Sequence, residues 1–407
     1  IRANFGYDIY KRSMNDKEIE NLIKKEEKRQ KEAINLIASE NIASSDVLEA
    51  LSSVFTNKYA EGYPSKRYYG GNEVVDKLER LCQERALSLF NLSADEWSVN
   101  VQPYSGTPAN LAIYAALVPI GEKIMGMELK MGGHLSHGHK VSLSGKFWRQ
   151  VPYGVSRDTE TLDYDEILEI AKKEKPKLIV AGFTAYSRII DFKAFRKIAD
   201  AAGAVLLVDM SHFAGLVAGG AYPSPFEYAD VVMTTTHKTL RGPRGAIIFS
   251  RKNVQHLVLN IAEAVGKAVF PGLQGGPHMN TIAAIAVALK EAATPQFKTY
   301  AKQVVKNAQA LAAELESRGW RIISGGTDAH LFLVDTMSRG ISGKEAQERL
   351  EAEGIIVNKN TIPFDERSPT DPSGIRIGTP AVTTQGMKEK DMKKIAERIN
   401  STLSHDR

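Results

Sequence analysis

Between residues 100 and 250, short apolar runs alternate with stretches of helical spacing, and this alternation limits the fold more than any other feature of the chain. Residues 177–181 (KLIVA), 205–208 (VLLV), 231–235 (VVMTT) and 246–249 (AIIF) carry apolar side chains at successive positions. A strand tolerates that only when both of its faces are covered. Residues 192–202 lie between two of these runs and repeat their apolar residues at helical intervals. Strands alternating with helices predict an α/β fold with a mostly parallel sheet flanked by helices. Ligands of such folds gather beyond the carboxyl ends of the strands.

The flanking segments differ in pattern. Residues 15–37 read as a helix, with Asn15 as cap, Glu18 three residues on, and Ile19, Leu22 and Ile23 as an apolar stripe. Residues 281–318 are Ala-rich and helical, with a break near Pro295; beyond Gly319 come short strands, a helix over 342–353 and a Pro- and Ser-rich loop. Three parts are expected: an N-terminal helical arm (1–40), a large α/β domain (41–280), and a linking helix with a smaller C-terminal α+β domain (281–407).

Composition narrows the function. Hydrophobic residues are 43% and charged residues 25%, ordinary globular usage that excludes a disordered, collagenous or disulfide-scaffold chain. The net charge of +5 is interspersed, so neither nucleic acid nor an acidic membrane surface is expected as a partner. Cys82 is the only cysteine, which points to a reducing compartment; it lies in an apolar helical pattern and reads as a buried small hydrophobe. No apolar run reaches the ~18–20 residues of a membrane span, and no charged-then-apolar leader pattern opens the chain.

Five segments carry chemistry. Lys238 follows the 231–235 run within TTTHKT, with Arg241 and Arg244 just downstream; neighbouring cations favour the free amine that attacks a carbonyl. Asp209 ends the preceding strand run, with enough chain between for one helix and one strand. A lysine and a carboxylate so placed suit pyridoxal phosphate, which needs an amine for its aldehyde and an acid facing its ring nitrogen. Residues 104–110 (YSGTPAN) open a helix, Thr107 suiting the N-cap and Pro108 the first position, and its free amides with the Ser105 and Thr107 hydroxyls make an anion site. His134, His137 and His139 hold a His-x-x-His-x-His spacing. Without a Cys or clustered acids a metal is not expected, and a ring stacked on an aromatic cofactor suits the spacing better. Arg376, in GIRIGT, is the residue type for bidentate carboxylate recognition.

In this order and wording the segments resemble serine hydroxymethyltransferases, pyridoxal-phosphate enzymes of fold type I. The resemblance runs from 36–42 (LIASENI) to 374–380, and its most specific stretches are 56–64 (TNKYAEGYP), 67–71 (RYYGG), 235–245 (TTHKTLRGPRG) and 270–277 (FPGLQGGP). It implies that Lys238 forms the Schiff base with pyridoxal 5′-phosphate, Asp209 pairs with the ring nitrogen, His212 lies by the ring oxygen and His134 stacks on the ring. Ser105, Gly106, Thr107 and His237 hold the phosphate, joined by Tyr59, Gly275 and Gly276 of a neighbouring subunit. Arg376 takes the amino-acid carboxylate with Ser39 and Tyr69 beside it, Glu61 is the acid–base residue, and Arg244 shapes the pocket. Tyr68, Leu129, Gly133, Leu135, Asn360 and Glu61 match positions that touch the pterin or its tail.

There are departures. Thr184 stands where the family usually has Ser; Met131 stands where a His is frequent, and Thr370 where Phe is frequent. The expected protein is a cytoplasmic homodimer that interconverts serine and glycine and uses tetrahydrofolate as co-substrate. The alternative is a folate-independent aldolase acting on β-hydroxy or α-methyl amino acids, and the two differ in whether serine cleavage requires tetrahydrofolate.

Overall fold

A computed structural model describes residues 14–256 and 259–404. The first part of the expected arm, the opening residues read for a leader pattern and the last three residues lie outside them.

The apolar runs form the centre of a seven-stranded sheet. Its strands are β1 (Trp97–Asn100), β2 (Lys123–Met127), β3 (Arg149–Tyr153), β4 (Leu178–Gly182), β5 (Val205–Asp209), β6 (Val231–Thr235) and β7 (Ala246–Arg251). Their spatial order is β1-β7-β6-β5-β4-β2-β3. β7 is antiparallel to both neighbours and the pairings from β6 to β3 are parallel. Every residue of β4 and β6 is buried, because apolar clusters cover the sheet on both sides. The register sets Gly182 beside Asp209 and Asp209 beside Met233, so the ends of β4, β5 and β6 open at one level.

Pro295 breaks the Ala-rich segment into helices Met279–Ala292 and Pro295–Glu316, with the Thr294 hydroxyl capping the second. Phe297, Tyr300 and Val304 of the long helix pack into the large core, while Leu311 and Leu315 pack into that of the smaller unit. There β8 (Arg321–Ile322), β9 (Leu331–Asp335), β10 (Asn358–Asn360) and β11 (Gly374–Gly378) form an antiparallel sheet in the order β8-β9-β11-β10.

Two helix starts differ from the sequence reading. The first helix is Lys17–Glu32, capped by Asp16 rather than Asn15. It stops early because the next residues extend so that Ile34 and Asn35 pair with Ile355 and Ile356. It buries none of its residues, and Ile19 and Leu22 are exposed. The helix of the YSGTPAN segment is Gly106–Leu117, with Ser105 rather than Thr107 at its cap. Its first amides therefore face the strand ends two residues earlier than expected.

Candidate active site

Beyond the ends of β4, β5 and β6 lies a cavity of about 300 Å³. Ser39, Ser105, Gly106, Thr107, His134, Thr184, Asp209, His212, His237, Lys238, Arg244 and Arg376 line it, twelve of the expected site residues drawn from both halves of the chain. Asn110, Phe183, Ser211 and Thr235 complete the wall.

Asp209 is buried, and its carboxylate is held by several donors. Asn110 Nδ2 donates to Oδ2 at 3.0 Å, the Ser211 amide to Oδ1 at 3.1 Å, and His137 Nε2 lies 3.1 Å from Oδ2. Burial alone would raise its pKa, but these hydrogen bonds prevail and hold the carboxyl well below the usual range, so it is ionised. His137 is thus explained as Asp209's partner, not a ligand set with His134 and His139. Among the described residues no group of three or more His, Cys, Asp or Glu is arranged to hold a metal.

Lys238 sits three residues past β6. Burial pushes its amine down from 10.5 to about 8; Asp209 opposes this, and Arg376 and Arg244 add to it. The turn that presents it is clamped. Asn41 Nδ2 donates to the Lys238 carbonyl at 2.9 Å and to the Tyr300 hydroxyl at 2.7 Å, and the Thr384 hydroxyl donates to Asn41 Oδ1 at 2.7 Å. Arg241 adopts a left-handed φ of 59°, and its guanidinium lies 4.7 Å from the centre of the Tyr300 ring.

Arg376 is buried in β11. Its Nε donates to Asn358 Oδ1 at 3.0 Å and its Nη1 to the Thr184 carbonyl at 2.8 Å, which fixes the fork. Burial lowers the guanidinium to about 10, so it stays charged. Burial also lowers His134 to about 4 and His237 to about 3, so both rings are neutral near pH 7. The Ser136 amide donates to His134 Nδ1 at 3.1 Å, which places that ring's proton on Nε2. Against the single carboxylate of Asp209 the wall carries Lys238, Arg244 and Arg376, an excess of cations that suits anionic guests.

The other expected residues stand apart from this wall. Tyr59, Glu61 and Tyr69 form a second cluster: the Tyr59 hydroxyl donates to Glu61 Oε1 at 3.3 Å, and the Tyr59 and Tyr69 rings meet edge-on at 5.1 Å. A Cβ on Gly275 would lie 3.0 Å from Glu61 Oε1, and one on Gly276 3.3 Å from the Tyr59 ring, so both glycines belong to the same cluster. Tyr68 is 82% exposed beside it. Leu129, Gly133 and Leu135 lie on the loop after β2, where the Gly133 amide donates to the Glu128 carbonyl. Any Cβ on Gly133 would strike the Met127 carbonyl at 2.0 Å, so only glycine fits. Asn360 ends β10 opposite Gly374. Met131 packs against Gly154, and the Thr370 hydroxyl bonds that of Ser368.

The pocket's loose ends suit pyridoxal phosphate. Thr184 Oγ1 and His237 Nδ1 are buried yet have no partner among the described residues. Gly106 opens the helix so close to β6 that a Cβ there would approach Thr235 Cγ2 to 2.8 Å, and as the first residue of the helix its amide has no carbonyl one turn back to bond. A lysine and a carboxylate at neighbouring strand ends, a helix start for a phosphate, and a mostly parallel sheet define a fold-type I pyridoxal-phosphate transferase.

A family model for serine hydroxymethyltransferase matches residues 12–399. A serine hydroxymethyltransferase of Acidobacterium capsulatum is 55% identical over 393 residues, covering 97% of this chain and 90% of the relative. One of Koribacter versatilis is 54% identical over 390 residues, covering 96% and 89%. The chain belongs to the serine hydroxymethyltransferase family.

Proposed function

We propose how this chain carries out the reaction of its family, the interconversion of serine and glycine with transfer of the hydroxymethyl unit to tetrahydrofolate. The observation that carries the reading is the convergence of Lys238, Asp209 and Arg376 on one cavity. When bound, pyridoxal phosphate supplies an electrophilic carbon for amines and a ring that accepts an electron pair. Lys238 holds it covalently; an amine lowered to about 8 is free often enough near neutral pH to be a nucleophile. Ionised Asp209 keeps a proton on the ring nitrogen, and neutral His134 covers the ring face. Thr184 and His212 serve the ring oxygen. Ser105, Gly106, Thr107 and His237 take the phosphate.

Arg376 orients the carboxylate of the amino acid, with Ser39 and Tyr69 beside it. Arg244 shapes the same wall. Glu61 gives and takes a proton at the hydroxymethyl oxygen as the one-carbon unit leaves. Tyr68, Leu129, Gly133, Leu135 and Asn360 receive tetrahydrofolate, with Met131 and Thr370 at its margin.

The working form is a homodimer. Tyr59, Glu61, Gly275 and Gly276 cluster with one another but not on the cavity wall of their own chain, an arrangement suited to completing the cavity of a second copy. The first helix, which buries nothing in its own chain, suits the same partner. Cys82 is the sequence's only cysteine and is buried, so it forms no intrachain disulfide; this suits a reducing compartment, and we take the cytoplasm as its location. Among the described residues no helix is long and apolar enough to cross a membrane.

The deciding measurement is serine-to-glycine turnover by the pyridoxal-phosphate-loaded protein with and without tetrahydrofolate. Turnover that depends on folate is expected. Serine cleavage at full rate without folate would turn the assignment to the aldolase alternative.

A further inference from the structure

His330 stands immediately before β9 in the smaller unit and is completely buried. Its Nε2 lies 3.2 Å from Nδ1 of His212, which follows β5 and lines the cavity. The ring centroids are 5.4 Å apart and the planes 27° from parallel, so the two rings meet edge to edge with these nitrogens facing each other. The contact joins two neutral imidazoles: burial, with Lys238 and Arg376 nearby, lowers His212 well below its ordinary range and His330 to about 3. One proton therefore lies between the two nitrogens, and two arrangements compete.

If His212 Nδ1–H donated, His330 would carry its proton on Nδ1. That atom is buried and has no partner among the described residues. An orphaned buried N–H is the rarer and costlier defect, whereas an unfilled acceptor is better tolerated. The bond from His330 Nε2–H to His212 Nδ1 leaves only a bare lone pair on His330, and it puts the proton of His212 on Nε2, the nitrogen left for the cavity.

We propose that His330 is a positioning residue, fixing His212 in the Nε2–H tautomer so that it offers the cavity a hydrogen-bond donor. Resting on the reading that this cavity holds pyridoxal phosphate, the donor serves the ring oxygen and favours its anionic form. His330 does not line the cavity and acts only through His212.

The test is nitrogen NMR on protein labelled with ¹⁵N-histidine, with and without pyridoxal phosphate, in wild type, His330→Gln and His330→Phe. In wild type His212 should show a protonated Nε2 and a bare Nδ1. His330→Phe keeps a flat ring but removes the donor; His212 should then populate both tautomers. The visible absorbance of the loaded enzyme should shift toward the form with a neutral ring oxygen. Its kcat should fall about tenfold, the worth of one hydrogen bond, with a smaller change in serine KM. His330→Gln keeps an N–H donor and should restore both the spectrum and kcat. A wild-type His212 protonated on Nδ1, or an unchanged His212 tautomer in His330→Phe, overturns the proposal. The wild-type spectrum decides even if the variants fail to fold. Failure of wild type to take up pyridoxal phosphate would instead count against the cofactor reading, and the spectrum of the free protein would still report the tautomer.

Discussion

At the scale of single residues, burial sets the chemistry. Lys238 is lowered from 10.5 to about 8 chiefly because the cavity strips water from its charged form. The folded protein then binds fewer protons at this site than the unfolded chain between those two values. Stability contributed by this group therefore rises with pH across that window, and its penalty is complete below about pH 8. The same shift governs reactivity. Uptake of pyridoxal phosphate by the free protein, followed by visible absorbance, should accelerate with pH and level off above about 8; a midpoint near 10.5 would mean an exposed amine. Arg244→Gln removes one of the cations that lower Lys238 and should move the midpoint upward. Arg376→Ala should raise serine KM ~10–100-fold, the loss of a charge-assisted pair worth ~1.5–3 kcal/mol, while the protein still takes up the cofactor. Arg376→Lys should recover only part, because a point charge cannot replace a fork already anchored on Asn358 and Thr184. Lys238, Asp209 and Arg376 were legible in the sequence because each sits at or in a short apolar run. Asn110 was within reach too, since it lies one turn along the helix that Gly106 opens. His137 was visible only as one of a histidine group, and His330 not at all, because its partner is over a hundred positions away and nothing local marks it.

At the scale of elements, buried strands are the most readable part of the chain and helix ends the least. The runs at 205–208 and 231–235 became β5 and β6 nearly to the residue, since a double-faced apolar run has few other uses. The first helix was overextended because its pattern continues, whereas the pairing of Ile34 with Ile355 pulls the chain out of helix from a site more than 300 residues on. The turn after β6 is a similar case. Arg241 at φ 59° is strained for a side chain of its size and is held by contacts that come from elsewhere. Asn41 ties that turn to the long helix and, through Thr384, to the smaller unit. Asn41→Ala removes four hydrogen bonds, counting the one Oδ1 accepts from the Ile42 amide at 2.9 Å, and leaves partly buried groups unpaired. It should cost ~1–3 kcal/mol in a denaturant titration and slow cofactor uptake. Arg241→Gly should relieve the backbone but forfeit the packing on Tyr300, so its net effect should be smaller than that of Asn41→Ala. Equal stability of Asn41→Ala and wild type would show that the turn holds its own shape.

At the scale of the molecule, the expected site residues fall into two groups, only one of which lines the cavity. Lys238 and Arg376 face one cavity, while Tyr59, Glu61, Gly275 and Gly276 gather elsewhere. The two groups are nonetheless linked through the backbone. The Tyr104 hydroxyl donates to the Gly276 carbonyl at 2.7 Å, Gln274 Oε1 accepts from the Tyr104 amide at 3.0 Å, and the Tyr104 ring stacks on His278 at 4.2 Å. The segment that begins the helix proposed to bind the phosphate is therefore packed against the loop proposed to reach the other subunit, so in the proposed dimer each chain would align one site while completing the other. A two-fold dimer makes this testable with two inactive proteins. Lys238→Ala lacks the amine but keeps Glu61; Glu61→Gln keeps the amine but should transfer the one-carbon unit ~10²–10⁴-fold more slowly, the usual loss without acid–base help. If each site takes Lys238 from one chain and Glu61 from the other, a mixed dimer holds one site with both residues intact and one with neither. Refolding the two variants together at equal amounts should then return roughly a quarter of wild-type turnover, since about half of the dimers are mixed and each has one working site. If both residues came from the same chain, every site in every dimer would lack one of them, and the mixture would be as inactive as its parts. Absence of recovery, with mixed dimers verified by a tag on one variant, would place Glu61 within its own chain's site and remove the case for a shared cavity.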